Sequence, residues 1–115
     1  MPVRRPAISV VMPFLGSEPE ADAALGALAR LSLGQDDEIV VVDNTPTGVL
    51  LGRAPGPVDA RLTAVGATAE RSAYYARNVG AERAANDWLL FIDADCIPPP
   101  ALADTSIWRA SLAKS

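Results

Sequence analysis

The 115-residue chain has no histidine, one cysteine and one lysine, the last at position 114. Without imidazole it lacks the usual general base near neutral pH and the commonest nitrogen ligand for metals. Acid, base or metal chemistry must therefore come from carboxylates. The single Cys96 excludes an intrachain disulfide and a cysteine zinc site, and it fits a reducing compartment. No apolar run approaches the roughly 18 residues of a membrane span. Behind Arg4 and Arg5, Pro6 and Pro13 bracket an apolar stretch too short for a secretory signal, so a soluble, cytoplasmic domain is expected. A basic face is missing as well. Fourteen Asp and Glu stand against ten Lys and Arg, for a net charge of -4, and the arginines are scattered. Nucleic acid is therefore an excluded partner, because phosphate backbones need concentrated positive charge.

What is present is enough for a core. Half the residues (50%) are hydrophobic and 21% charged, a globular rather than a disordered composition. The length allows one domain with a modest core. Ile8-Ser9-Val10-Val11-Met12, stopped by Pro13, has the continuous apolar character of a strand buried on both faces. Ser17 and Glu20 form a capping-box pattern, and Ala21, Ala24, Leu25, Leu28 and Leu31 then recur at helical spacing toward Gly34. Glu38-Ile39-Val40-Val41-Val42 is a second buried strand, so the first three elements imply a parallel βαβ unit. Residues 45–57, rich in Pro and Gly, read as a flap or a disordered loop. Arg61-Leu62-Thr63-Ala64-Val65 is a third strand, and a helix opens at Ser72 and runs to about Ala85. Trp88-Leu89-Leu90-Phe91-Ile92 is a fourth strand, and after the Pro98-Pro99-Pro100 turn a last helix would place Leu102, Trp108 and Leu112 on one face. The fold class expected is α/β, a Rossmann-like parallel sheet with flanking helices.

In such a sheet ligands bind beyond the carboxyl ends of the strands, where strand order reverses. Asp43 follows the second strand, and Asp93 and Asp95 follow the fourth. Residues two apart in extended chain face the same way, so Asp93 and Asp95 can meet one ligand. Converging carboxylates repel each other and any nearby phosphate unless a hard divalent cation lies between them, which points to Mg2+ or Mn2+. Asp is also a favoured turn residue after any strand, and the same residues can be read as turn chemistry alone. Ala73, Ala76 and Gly80 give the second helix a small-residue face, and Arg77 beside them is either a phosphate or base ligand or a solvated arginine paired with Glu70 or Glu82.

An apolar strand ending in Pro13, then Glu38-Ile39-Val40-Val41-Val42-Asp43-Asn44, then Ala76-Arg77-Asn78-Val79-Gly80, then Leu89-Leu90-Phe91-Ile92-Asp93-Ala94-Asp95 together resemble the nucleotide-sugar-binding half of a family 2 glycosyltransferase of the GT-A fold. The likeness runs from Ile8 to about Leu102 and implies that residues 1–115 are the donor-binding part of a GT-A domain, with the acceptor half absent. It implies that Asp43 contacts the base, that Arg77 lies by the nucleotide, that Asp93 lies by ribose and diphosphate, and that Asp95, with Asp93, holds the metal. Pro13, Phe14 and Asn44 join this set. The family has an aromatic residue and Asn shortly after the first strand's Pro, where this chain has Phe14-Leu15-Gly16, so Phe14 is a shifted substitute. It also has Asp-Asp-Gly-Ser where this chain has Asp43-Asn44-Thr45-Pro46.

The activity implied is inverting transfer from a nucleotide sugar to an acceptor hydroxyl, through a divalent metal. The family's carboxylate base lies in the acceptor half, and no catalytic residue is assigned here. A chain inactive by itself, with an uncovered edge on the fourth strand that invites self-association, is the expectation. The alternative is a non-catalytic nucleotide-sugar-binding or assembly module. A dinucleotide oxidoreductase is disfavoured because residues 13–19 contain one Gly rather than Gly-x-Gly-x-x-Gly. A phosphoacceptor receiver would need an acidic pair after the first strand and a Lys after a later one, whereas this chain has Pro13-Phe14-Leu15-Gly16 there and only Lys114.

Overall fold

The computed structural model describes residues 6–31, 33–53, 61–93 and, for the backbone, 112–114. The element order is β1 (Ile8–Phe14), α1 (Glu18–Ala29), β2 (Glu38–Asp43), a 3-10 turn (Leu51–Arg53), β3 (Leu62–Gly66), α2 (Ala73–Arg83), β4 (Trp88–Phe91) and β5 (Leu112–Lys114). One sheet holds all five strands in the order β3-β2-β1-β4-β5. The first four are mutually parallel, with Val10 beside Ile39 and Leu90, and Val41 beside Ala64. β5 runs antiparallel to β4, with Leu112 opposite Leu90. The α/β parallel sheet expected from the sequence is therefore present.

Side-chain alternation builds two cores. Ile8, Val10, Met12 and Phe14 of β1 join Ile39 and Val41 of β2 beneath Ala21, Ala24 and Leu28 of α1. Val11, Val40 and Val42 point the other way and meet Ala76 of α2. A chain that steps from β1 to β2 to β3 and then returns to β4 places its crossover helices on opposite faces when both crossovers are right-handed. α1 begins with the capping box read from the sequence. The Ser17 N–H donates to Glu20 Oε1 at 2.9 Å, and the Ser17 hydroxyl accepts from the Glu20 N–H. α2 begins on Ser72, whose hydroxyl accepts from the Tyr75 N–H at 3.1 Å.

The capping box sets a pH dependence. Hydrogen bonds from the Ser17 backbone and then from its side chain hold the exposed Glu20 carboxyl below the ordinary glutamate value. A carboxyl depressed in the folded state contributes its stability in full above the unfolded pKa, about 4.3, and loses it as pH falls through the lower folded value. Glu20→Gln should thus lower the thermal midpoint at about pH 7, and the gap from the parent should close on acidification below about pH 4. A gap that stays constant across this range would rule out the charged cap.

Several boundaries and faces differ from expectation. β3 starts and ends one residue later than read, β4 is one residue shorter, and α1 stops at Ala29 instead of continuing toward Gly34. Ala73 is exposed, so α2 packs through Ala76 and Gly80. The last helix is corrected at its end: Leu112 lies in a strand, while Leu102 and Trp108 lie outside the described residues. β5 also covers the β4 edge that was expected to lie open, because a sheet edge finds a partner through backbone groups that no local sequence pattern reveals. Among the described residues no helix is long and apolar enough to cross a membrane.

The amino edge of the sheet is tied shut. The Ser9 hydroxyl donates to Glu38 Oε2 at 2.6 Å, and Glu38 also accepts from the Ala85 N–H. The buried Asp37 carboxylate accepts from the Ile8 and Gly34 N–H groups at 2.9 and 2.6 Å. Asn86 Nδ2 donates to the Ile8 and Asp36 carbonyls. The carboxyl edge is where the strands part.

Candidate functional site

β1 runs into a proline beside the end of β4. The Ile92 N–H donates to the Val11 carbonyl at 3.1 Å, the last rung between the two strands among the described residues. Two residues on, on the same side of the strand, Pro13 has no N–H to give, so β1 offers no donor for a further rung there. Strand order reverses at this pair, making the gap beyond Pro13 and Ile92 the place where an open α/β sheet binds its ligand. Pro13 is half-buried at its lip. Phe14, expected at the nucleotide, is fully buried in the α1 core, and Leu15 is the exposed residue of the pair. Its parity with Ile8, Val10 and Met12 already carried that signal.

Asp43 ends β2, Asn44 follows it, and the two side chains work on opposite sides of the sheet. Asp43 is fully buried. Its Oδ1 accepts from the Thr45 N–H at 2.9 Å and the Thr45 hydroxyl at 2.5 Å. Its Oδ2 accepts from the Leu50 and Leu51 N–H groups, both at 2.9 Å. The carboxylate faces its own chain and folds the segment that the sequence left as a flap or disorder. Residues 45–53 are ordered around it, and Arg53 pins them to α1 through Glu18 and Asp22 at 2.9 Å each. Residues 54–60 lie outside the described residues. Asn44 works on the α2 side. Its Nδ2 donates to the Ala67 and Glu70 carbonyls at 2.6 and 2.7 Å, holding the segment that leads into α2. The buried Oδ1 has no donor among the described residues.

Arg77 rises from α2 toward the end of β4. Its Nη2 lies 3.3 Å from Asp93 Oδ1, and both side chains are well exposed, at 41% and 60%. The arginine thus pairs with neither Glu70 nor Glu82, the partners considered from sequence. Its position is set by a close approach of α2 to the sheet. A Cβ on Gly80 would overlap Val11 Cγ1 and lie 2.9 Å from Val42 Cγ2, so α2 rests directly on β1 and β2. Tyr75 packs against the α2-side core while Tyr74 stands exposed.

Of the three carboxylates expected to converge, Asp93 is exposed at the switch point, Asp43 is turned inward, and Asp95 lies outside the described residues. Among the described residues no group of three or more acidic, His or Cys side chains is arranged to hold a metal. Asp93 nonetheless has the oxygen chemistry and exposure of a hard-cation ligand, and a Mg2+-type ion needs only one or two carboxylates when phosphates complete its shell.

Comparison with known proteins agrees with this geometry. No curated protein matches the chain. Among solved structures, a mannosyltransferase from Pyrobaculum calidifontis, PcManGT, determined with GDP-Man and Mn2+, superposes with a TM-score of 0.75 at 25% identity, over 91% of this chain and 32% of that one. S. aureus TarS 1-349 gives 0.68 at 25% identity, over 85% of this chain and 30% of that one. Its complex with UDP-GlcNAc gives 0.61 at 26%, over 77% and 26%. The chain thus spans about a quarter to a third of the length of these three solved structures. A sequence profile described as Glycosyl transferase family 2 matches residues 9–105. With the GT-A arrangement of its parallel sheet and the position of its switch point, the chain belongs to glycosyl transferase family 2.

Proposed function

We propose that this chain forms the donor-binding part of a glycosyltransferase that takes a nucleoside-diphosphate sugar together with Mg2+ or Mn2+ and serves inverting transfer to an acceptor hydroxyl. The observation that carries the reading is the exposed Arg77 and Asp93 pair at the switch point of a family 2 sheet. A basic fork and an acid side by side suit a diphosphate and its cation, since the guanidinium answers phosphate oxygens and the carboxylate answers the metal. Asp93 and Asp95 are the residues that would hold the cation, which stabilises the leaving diphosphate. Asn44 leaves Oδ1 as an acceptor for the O–H of a water or an N–H of a base. Asp43 acts one step back, by shaping residues 45–51. A single cysteine and a nucleotide-sugar donor suit a reducing, cytoplasmic setting.

Titration calorimetry with UDP and GDP, with and without Mn2+, tests the reading. Mn2+ should tighten at least one nucleotide about tenfold or more, and Asp93→Asn should remove most of that gain, because a neutral amide oxygen is a poor ligand for a hard cation. Equal affinity in EDTA, or no binding of either nucleotide in Mn2+, would sink it.

A further inference from the structure

Arg77 has a rigid base and a free head. Ala76 is buried against the sheet, and Gly80, one turn on, lets the helix backbone touch Val11 and Val42. The Arg77 backbone is thereby held at a fixed height above the carboxyl edge, while its guanidinium is 41% exposed. Asp93 is freer still, at 60%. The ion pairs from Arg53 to Glu18 and Asp22 lie on the α1 side. An exposed pair 3.3 Å apart contributes only about 0.2–1 kcal/mol, so a stronger partner on either side can break it.

We infer that the Arg77–Asp93 pair is an exchange contact: Arg77 is the counter-cation of Asp93 in the nucleotide-free chain, and the two part when the donor arrives. The guanidinium goes to a diphosphate oxygen and the carboxylate to the divalent cation. One ion pair becomes two, with no bond made or broken and no proton moved. This rests on the donor-site reading above and adds a regulation to it. A divalent ion by itself must compete with Arg77 for Asp93, and a nucleotide by itself must pull Arg77 from Asp93. Each ligand removes the other's competitor, so the two bind with positive coupling, equal in both directions. The site thereby resists a bare metal ion and closes on the pair.

The experiment is a Mn2+ titration followed by the electron paramagnetic resonance of the free ion, at low ionic strength, with and without UDP or GDP. It compares the parent chain with Arg77→Gln, Asp93→Asn, the double variant and Arg83→Gln, which removes the same charge from the last turn of α2. Arg77→Gln should bind nucleotide-free Mn2+ roughly 1.5- to fivefold more tightly than the parent. It should bind nucleotide more weakly, and nucleotide should tighten its Mn2+ binding by a smaller factor. The gain should vanish on the Asp93→Asn background and shrink in high salt. An unchanged thermal midpoint for Arg77→Gln separates this from a packing effect.

If Arg77→Gln and Arg83→Gln raise Mn2+ affinity equally, the effect is long-range charge and the exchange is overturned. If Mn2+ tightens nucleotide on the parent chain but Arg77→Gln leaves nucleotide-free Mn2+ affinity unchanged, the exchange falls and the donor site stands. If Mn2+ fails to tighten either nucleotide on the parent chain, the donor-site reading falls and the exchange with it.

Discussion

Asp43→Ala should cost about 3 to 5 kcal/mol of folding stability, a large share of the roughly 5–15 kcal/mol that holds a typical domain together. The carboxylate is fully buried and accepts four hydrogen bonds, three from backbone N–H groups. Hydrogen bonds to a charged acceptor contribute about 1.5–3 kcal/mol each, and a buried donor left without a partner carries its own penalty. Removing the side chain strands the N–H groups of Thr45, Leu50 and Leu51 together. Water entering the space recovers part of that loss, which keeps the expected cost below the sum of the individual bonds. Urea unfolding followed by circular dichroism should show a lower midpoint with the slope nearly unchanged. A parent-like midpoint combined with lost nucleotide affinity would mean that the carboxylate meets the ligand directly, the role the family resemblance suggested.

Gly80→Ala should also destabilise, although helix propensity argues the opposite. In the interior of an exposed helix the change gains about 1 kcal/mol. At Gly80 the new methyl would meet Val11 and Val42 in the fully buried middle of the sheet, and both neighbours are β-branched and stiff about χ1. Relief requires lifting α2 from β1 and β2, and overpacking of this kind costs about 1–3 kcal/mol, so the clash outweighs the propensity gain. Gly26 in α1 is the contrast, because a Cβ there meets nothing within 4 Å. Gly26→Ala should stabilise by about 0.5–1 kcal/mol. Opposite signs for two chemically identical changes are the expected result. A stabilised Gly80→Ala variant would show that α2 does not bear on the sheet as described.

The strands were legible because β-branched runs and turn residues are local signals, and α1 because its cap and periodicity lie within a few positions of each other. What was not legible depended on tertiary contact. Asp43 was read as facing a ligand, yet its parity with Ile39 and Val41 places it on the α1 side, and Asp followed two residues on by Thr is a pattern in which the carboxylate turns back on its own loop. Phe14 was misplaced by the same neglect of parity. The small-residue face of α2 was right at Ala76 and Gly80 and wrong at Ala73, where the helix has not yet reached the sheet. The Arg77–Asp93 pairing joins residues 16 positions apart, and the β4–β5 pairing joins residues 22 to 26 positions apart, from Leu90 with Leu112 to Trp88 with Lys114. Neither leaves a local trace.

The central place of β1 has a consequence for synthesis. β1 leaves the ribosome before the other strands of its sheet, and β2 follows within about 30 residues to pair with one side of it. The other side waits for β4, about 80 residues after β1. At about 5–20 residues per second the wait is roughly 4–16 s. Throughout that interval one flank of a strand rich in Ile, Val and Met offers its backbone groups to any extended chain nearby. The nascent protein is most open to mispairing after its first βαβ unit has formed and before Trp88 to Phe91 emerge. Slower translation between β2 and β4 would lengthen that exposure without altering a single residue of the finished fold.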